Sequence, residues 1–325
     1  FYSWLADHAR YAEEVGAGDQ ILVCDIGGGT TDFTLIAVHK AEGRVSFQRT
    51  AVGDHLLLGG DNMDLLLARR VEKRLLAPGA PPLPPAQFQG LVQACRSAKE
   101  RLLGDEPPPN GVVGVHVAGR GAKVIGGGLR AELTLAEVEE VLLDGFFPKV
   151  PASADPQRAR GGLQELGLPY AADPAVTRYL AAFLRQNGAR PTALLFNGGV
   201  LRSAAIRQRI LEVLESFTGL RPRVLTNDAP DLAVARGAAY YGLSRRGEGL
   251  RISGGAARAY YLEVEGERRG GEDASTASYV CLTPRGLEEG TEVGAEPRSG
   301  GAGLQLLTNR PVRFRLFSSA QRQGD

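Results

Sequence analysis

The sequence has few of the features that mark disulfide-bonded, zinc-binding or membrane-spanning proteins. Its three cysteines, Cys24, Cys95 and Cys281, are far apart and form no C-x-x-C pair, so we interpret them as small buried hydrophobic residues. The four histidines lack zinc-ligand spacing. No apolar run reaches the roughly 18 residues that a membrane-spanning helix needs, and no secretory signal is present. These absences predict a cytoplasmic protein without a membrane partner.

The charge balance is nearly neutral, and the apolar content is that of a protein with a large core. The formal net charge is +1, and basic residues gather locally only between Arg313 and Arg322, so we expect no nucleic-acid partner. With 325 residues, of which 43% are hydrophobic, the chain is long enough for two domains. Phe1 falls inside a predicted helix over residues 1–14, and no clear stop precedes Asp325. We therefore expect both ends to be cuts.

Hydrophobic periodicity predicts an α/β fold in which a β-rich segment follows the main domain. The predicted strands cover residues 21–25, 32–38, 112–117, 122–125, 192–196, 223–225, 259–264 and 278–283. The predicted helices cover residues 61–77, 88–102, 134–146, 173–188, 203–217 and 230–242. Thr134 and Glu137 form a predicted capping box, and Asp173 is a predicted N-cap. We place a domain boundary near Gly247, which gives domains of residues 1–247 and 248–325.

The most informative segment is Asp25–Asp32, whose sequence is DIGGGTTD. It joins two predicted strands through three glycines, which carry no Cβ and let backbone N–H groups approach an anion such as phosphate. Asp25 and Asp32 flank the turn, and two carboxylates beside a phosphate require a cation, for which Mg²⁺ is suited. Thr30 adds a hydroxyl that can orient a water molecule or the γ-phosphate. The alternative is a plain β-hairpin with solvated aspartates.

Residues 21–38 resemble the second phosphate-binding hairpin of the actin-like ATPases, in the form found in the 70-kDa heat-shock (DnaK-type) chaperone family. Further segments similar to this family follow in the family's order, at residues 53–64, 95–102, 195–202 and 230–239. The sequence contains neither the G-x-x-x-x-G-K-[ST] of a Walker A loop nor the G-x-G-x-x-G of a Rossmann fold.

The resemblance covers roughly residues 19–104 and 192–243. It implies an actin-like ATPase lobe, a ribonuclease-H-like mixed sheet with helices, that carries a small inserted subdomain at about residues 61–150. It also implies that the family's first lobe, with its phosphate loop and catalytic lysine, is absent. The segment by itself would then hydrolyse ATP very slowly or not at all.

The resemblance assigns roles to residues of the matched segments. The catalytic candidates are Asp25, Thr30 and Asp32, of which Asp25 and Asp32 would hold Mg²⁺ through water. The nucleotide-binding candidates are Gly27, Gly28, Gly29, Thr30, Thr31, Gly59, Gly60, Lys99, Gly198, Gly199, Arg202 and Asp231. The implied cofactors are ATP or ADP and Mg²⁺.

Several of these candidates also have a plainer interpretation. Gly198-Gly199 ends a strand and opens a helix, where backbone can press against a ribose or a phosphate, but an ordinary glycine turn has the same sequence. Arg202 could stack on a purine. Lys99 could reach nucleotide oxygens or be a solvated surface residue. Asp231 could do no more than stabilise the N-terminus of its own helix.

The chain also departs from the family's pattern at the adenosine end. The family's adenosine-contacting helix carries Glu, Arg and Ser where this chain has Arg96, Glu100 and Leu103. The acid and the base have traded places, and the adenine-stacking residue is not identified by the sequence. Val200-Leu201 replaces the family's small hydroxyl pair. These departures predict a divergent family member with an intact phosphate end and an altered adenosine end.

The implied function is a chaperone ATPase that couples ATP binding and hydrolysis to the binding of unfolded or client polypeptides. A co-chaperone and a nucleotide-exchange factor are candidate partners. Residues 281–293 resemble the start of the family's peptide-binding domain, with later strands at 304–307 and 312–317, although a β-extension without that function is the alternative. A sugar kinase-like phosphotransferase and a nucleotide-gated assembly protein on the same fold also remain open.

Overall fold

The computed structural model describes residues 1–117, 128–157, 173–265, 277–288, 291–292, 313–319 and 322. The chain divides into two compact units, one comprising residues 1–46 and 52–251 and the other residues 47–51 and 252–325. The strands in the described ranges are β1 (Gln20–Ile26), β2 (Thr31–Ala41), β3 (Arg44–Val52), β4 (Val112–Val117), β5 (Leu129–Thr134), β6 (Ala193–Asn197), β7 (Arg223–Leu225), β8 (Ala259–Glu265), β9 (Ala277–Thr283) and β10 (Leu316–Ser319).

Helices lie between these strands, so the fold class is mixed α/β, as predicted. The α-helices are α1 (Tyr2–Asp7), α2 (Tyr11–Glu14), α3 (Gly60–Leu75), α4 (Pro85–Leu102), α5 (Leu135–Glu139), α6 (Val176–Gln186), α7 (Ala204–Thr218) and α8 (Ala233–Arg245). A π-helical segment, Glu140–Phe146, continues α5, and a 3₁₀ turn, Gly199–Arg202, precedes α7.

A five-stranded mixed sheet has the strand order β3-β2-β1-β6-β7, and its strands β2, β1, β6 and β7 lie in the first unit. Strand β1 is antiparallel to β2 and parallel to β6. Leu22 and Leu194 are neighbours in the β1–β6 register, and neither side chain is exposed. Because these two strands are covered on both faces, they have continuous apolar sequences, which made them easy to predict.

Strand β3 was not predicted: Val45 and Phe47 alternate with polar residues as in a half-exposed strand, but Arg49 interrupts that alternation. Val45, Phe47 and Ala51 are buried, whereas most residues between them are exposed. The turn Glu42-Gly43, in which both residues have positive φ, joins β2 to β3. Two consecutive positive φ values are typical of the type I′ turn of a β-hairpin.

The insert after β3 consists of α3 and α4, which pack together and against the β4–β5 hairpin. The predicted capping box is confirmed: Glu137 N donates to Thr134 Oγ1 at 3.2 Å, and Thr134 N donates to Glu137 Oε2 at 2.9 Å. The helix that starts there was predicted to reach residue 146, but it becomes π-helical at Glu140. The predicted strand at 122–125 lies outside the described residues.

Three predicted helices start or run differently in the structure. The predicted helix over residues 1–14 divides into α1 and α2, and the His8 Nδ1 atom lies 2.8 Å from Trp4 O at the end of α1. Asp173 was predicted as an N-cap, but α6 begins at Val176. Asp173 Oδ1 still accepts from Ala175 N at 2.9 Å, as an N-cap would, and the buried carboxylate also accepts from Gln157 N at 2.7 Å and from Arg178 at 2.9 Å.

The helix predicted from residue 230 begins at Ala233, as α8. The backbone just before it is used elsewhere, since Pro230 O accepts a hydrogen bond from Gly198 N at 3.0 Å. Helix α7, which precedes α8 in the chain, begins where predicted. Its N-cap is Ser203, whose Oγ accepts a hydrogen bond from Ile206 N at 3.4 Å.

The second unit contains a three-stranded antiparallel sheet in the order β10-β8-β9. The strands predicted at 259–264 and 278–283 are confirmed as β8 and β9. The strand predicted at 312–317 is shifted to β10, and the one predicted at 304–307 lies outside the described residues. Across the described ranges, no helix combines the length and apolar character needed to cross a membrane.

Leu22→Ala should destabilise the chain by about 2–5 kcal/mol, since it removes a fully buried side chain and opens a cavity on the covered face of the sheet. Leu220 is 54% exposed, so Leu220→Ala should change stability by no more than about 0.5 kcal/mol. Urea unfolding followed by circular dichroism measures both. Equal effects of the two substitutions would contradict the assignment of β1 and β6 to the core.

Candidate functional site

The β1–β2 hairpin presents an open turn with three uncommitted amides. Pairing of the strands continues to Ile26 opposite Thr31, and Gly27 N donates to Thr30 O at 2.9 Å. Gly28 and Gly29 at the tip are exposed. Within the described ranges, the N–H groups of Gly28, Gly29 and Thr30 donate to no protein acceptor. Such a run of adjacent free amides is suited to binding an anion.

The direction of these amides follows from the way helix α3 begins. Gly60 N donates to Gly27 O at 3.0 Å, and Asp61 N donates to Gly28 O at 2.7 Å. The turn therefore satisfies N–H groups that the first turn of a helix cannot pair internally. In a planar trans peptide the N–H points away from the C=O. The N–H groups of Gly28 and Gly29 consequently point away from α3.

The three hairpin glycines are not required by the fold itself. A Cβ on Gly29 would have no neighbour within 4 Å, and the nearest atoms to a Cβ on Gly27 or Gly28 would be 3.8 and 3.4 Å away. None of the three has a positive φ. The missing side chains leave the amides of the turn accessible, which is what close approach of a ligand requires.

Two other glycine turns, Gly59-Gly60 and Gly198-Gly199, meet the hairpin at distances that only glycine permits. A Cβ on Gly59 would lie 2.6 Å from Gly28 O. Gly198 has φ +87°, and a Cβ there would lie 2.2 Å from Ile26 O and 2.9 Å from Asp25 Oδ1. The structure therefore brings three glycine segments, which are far apart in sequence, to one place.

Asp25 and Asp32 occupy opposite positions on β1 and β2, so their side chains lie on the same face of the sheet. Burial, and then the negative charge of Asp32, raises the pKa of Asp25 above the ordinary carboxyl value. A cation between the two carboxylates would relieve both effects. The carboxylate pair thus fits Mg²⁺, and the free amides of the turn beside it fit an anion bound to that ion.

The described residues include no group of three or more His, Cys, Asp or Glu side chains arranged to hold a metal ion. Mg²⁺ bound at Asp25 and Asp32 would therefore take its remaining ligands from water and phosphate, which is the usual pattern for this ion.

Lys99 lies in the same region and is tied to the buried carboxylate of Asp64. Its side chain is only 10% exposed, and its Nζ is 2.6 Å from Asp64 Oδ1. The same Nζ would be 3.6 Å from a Cβ on Gly60. Lys99 is thus not the solvated surface residue that was the alternative interpretation.

Arg96 is bound to Asp64 as well, with Nε 2.7 Å from Asp64 Oδ2, and it also contacts Asp61. Its hydrogen bond to Asp64 raises the pKa of the Arg96 guanidinium. A fully buried carboxylate such as Asp64 is stable only when cations and hydrogen bonds compensate its charge. Arg96 and Lys99 together provide that compensation.

The remaining candidates lie around this core of the site in different environments. Thr30 is half-buried, whereas the Thr31 side chain is fully buried and its Oγ1 donates to Leu58 O at 2.7 Å. Arg202 is exposed at the end of the 3₁₀ turn. Asp231 is also exposed, in the turn before α8, and it lies outside the helix whose N-terminus it was considered to stabilise.

Sequence reasoning missed His55 and the roles of Asp61 and Asp64. His55 Nδ1 lies 2.8 Å from Asp32 Oδ1. Asp61 and Asp64 lie in the segment 53–64 that resembles the chaperone family. Their positions in the first turn of the predicted helix could have indicated that they belong to the site. His55 had no comparable signal, because its partner is 23 residues away. No protein-family model matches the chain.

Gly198→Ala should destabilise the chain by more than about 1 kcal/mol, because alanine is strained at positive φ and its Cβ would clash with Ile26 O. Gly199 has ordinary φ and open space at its Cβ position, so Gly199→Ala is the matched control and should be nearly neutral. Denaturant unfolding compares the two. Equal stability of both variants would contradict the described contact.

Asp25→Asn should stabilise the chain at pH 7 without divalent cations, because it removes a partly buried charge that Asp32 repels. A carboxyl whose pKa is raised by folding favours the folded state below its unfolded pKa, and that contribution is lost as pH rises through the folded pKa. The advantage of Asp25→Asn should therefore shrink as pH falls toward 4. Unfolding curves between pH 4 and 7, with exposed Asp105→Asn as control, test this. No gain at pH 7 would refute it.

Proposed function

We propose that this chain carries the nucleotide site of a DnaK-type, ATP-binding chaperone ATPase, on a lobe with the actin-like fold. The observation that carries the proposal is the hairpin tip: the turn with uncommitted amides at Gly28, Gly29 and Thr30 joins the two strands that carry the opposed Asp25 and Asp32. Free amides favour an anion, whereas paired carboxylates favour a cation. A nucleotide polyphosphate with Mg²⁺ satisfies both.

The residues of the chain would share the work of binding and positioning. The amides of the turn would bind phosphate oxygens, and the Thr30 hydroxyl would orient the attacking water. Asp25 and Asp32 would hold Mg²⁺ through water, and the bound ion would neutralise charge on the phosphates. Phosphoryl transfer depends mainly on such positioning and charge stabilisation.

The adenosine end is supported by the close approach of two glycine turns, Gly59-Gly60 and Gly198-Gly199, to the hairpin. Gly199 is exposed, so its backbone can lie flat against a ribose or a base. Arg202 follows at the end of the same turn and would stack on the purine. Arg96 is engaged by Asp61 and Asp64 and is therefore the weaker candidate for stacking.

The second unit is proposed to bind polypeptide. Its sheet carries exposed apolar side chains, among them Tyr279 and Phe317, whose rings pack edge to face with centroids 5.1 Å apart. Exposed apolar surface of this kind is typical of interaction sites. In the proposed chaperone, ATP binding and hydrolysis would change the affinity of this surface for unfolded clients, under the control of a co-chaperone and a nucleotide-exchange factor.

Asp32→Asn should weaken Mg²⁺-dependent ATP binding by about tenfold or more without unfolding the chain, because one of the two carboxylates that hold the ion is lost. Calorimetric titration with ATP, with Mg²⁺ or with EDTA, measures the effect. Asp105→Asn, at an exposed position, is the control. Unchanged Mg²⁺ dependence in Asp32→Asn would remove this residue from the site.

The class of protein is tested by measuring ATP hydrolysis with an unfolded peptide, with a sugar and with neither. Hydrolysis stimulated by an unfolded peptide supports the chaperone, and hydrolysis stimulated only by a sugar would replace it with a kinase. Assembly on addition of ATP, without peptide stimulation, would indicate a nucleotide-gated assembly protein.

A further inference from the structure

A third strand-like segment places His55 beside the carboxylate pair. Thr31 and Leu56 form an isolated antiparallel bridge, in which Thr31 N donates to Leu56 O at 3.0 Å and Leu56 N donates to Thr31 O at 3.2 Å. In an antiparallel pairing the residue after one partner lies opposite the residue before the other. Asp32 therefore faces His55, just as it faces Asp25 on its other side.

The backbone that carries His55 is held independently of any ligand. The buried Thr31 hydroxyl donates to Leu58 O at 2.7 Å, and Leu58 N donates to Leu56 O at 2.8 Å. Thr31, which immediately precedes Asp32, donates hydrogen bonds both to Leu56 O, from its backbone N–H, and to Leu58 O, from its hydroxyl. The fold thus fixes the separation between the His55 and Asp32 main chains.

The contact between the two side chains has little value for stability. The His55 side chain is 63% exposed, and the Asp32 side chain is 39% exposed. Pairs this accessible to water contribute about 0–1 kcal/mol. The contact between His55 and Asp32 instead orients the carboxylate. Because Asp32 Oδ1 is bonded to His55 Nδ1 at 2.8 Å, rotation of the carboxylate is restricted, and Oδ2 is left for another partner.

We propose that His55 is a positioning residue for Asp32 in the Mg²⁺-nucleotide site. The proposal rests on the proposed function of the hairpin. His55 holds one oxygen of the carboxylate, so that the other is presented to the ion or to its bound water. Hydrogen-bond partners of metal-binding carboxylates typically change metal affinity 10–100-fold when they are removed.

The experiment compares His55→Leu, which removes the donor, with His55→Asn, whose amide can replace Nδ1 as donor to the carboxylate. Binding of Mn²⁺ to the 325-residue chain in the presence of ATP is followed by electron paramagnetic resonance, and ATP binding in EDTA is measured separately. His116→Leu is the control, since His116 is an exposed histidine on β4. Thermal melts check that each variant is folded.

We expect His55→Leu to weaken Mn²⁺ binding by about tenfold or more, and His55→Asn to retain most of the affinity. His116→Leu should match the wild type, and ATP binding in EDTA should not change in any variant. Equal Mn²⁺ affinity in His55→Leu and the wild type would overturn the role of His55 and leave the proposed function standing. The role is also overturned if His55→Asn is as weak as His55→Leu. Absence of metal-dependent ATP binding in the wild type would overturn both proposals.

Discussion

The structure of the site depends on the antiparallel register of β1 and β2. That register places Asp25 opposite Asp32 and ends the pairing so that the glycine turn stands clear of the sheet. In each peptide group of the turn, the carbonyl and the N–H then point in opposite directions. The carbonyls bind the N-terminus of α3, and the N–H groups are turned outward. A shift of one residue would move one of the two aspartates to the opposite face of the sheet and would remove the pair.

The hairpin and the inserted helices form one connected structure. Helix α3 begins on hairpin carbonyls, and α4 is joined to α3 through the buried Asp64, which binds both Arg96 and Lys99. A displacement of these helices would therefore strain the turn. In the proposed ATPase, this connection gives a physical route by which occupancy of the turn could alter the position of the insert.

Local sequence signals predicted the parts of the fold that local forces decide. The capping box at Thr134, the amphipathic helix α7 and the apolar strands β1 and β6 all depend on neighbouring residues or on continuous burial. Strand β3 was missed because Arg49 interrupts the alternation of its apolar residues, and the starts predicted for α6 and α8 were three residues too early, at positions that long-range hydrogen bonds also engage. For the candidate site, the hairpin residues were found, whereas His55 was not.

The sequence by itself determined the hairpin, the pair of acids at its ends and the order of the glycine-rich segments, because turn formation and strand burial are encoded within a few residues. Only the tertiary structure decided that Gly59 and Gly198 lie against the hairpin backbone, that Lys99 and Arg96 share Asp64, and that His55 faces Asp32. These contacts join positions dozens of residues apart, and they exist only after the sheet and the insert have packed. No short sequence window contains both partners of such a contact.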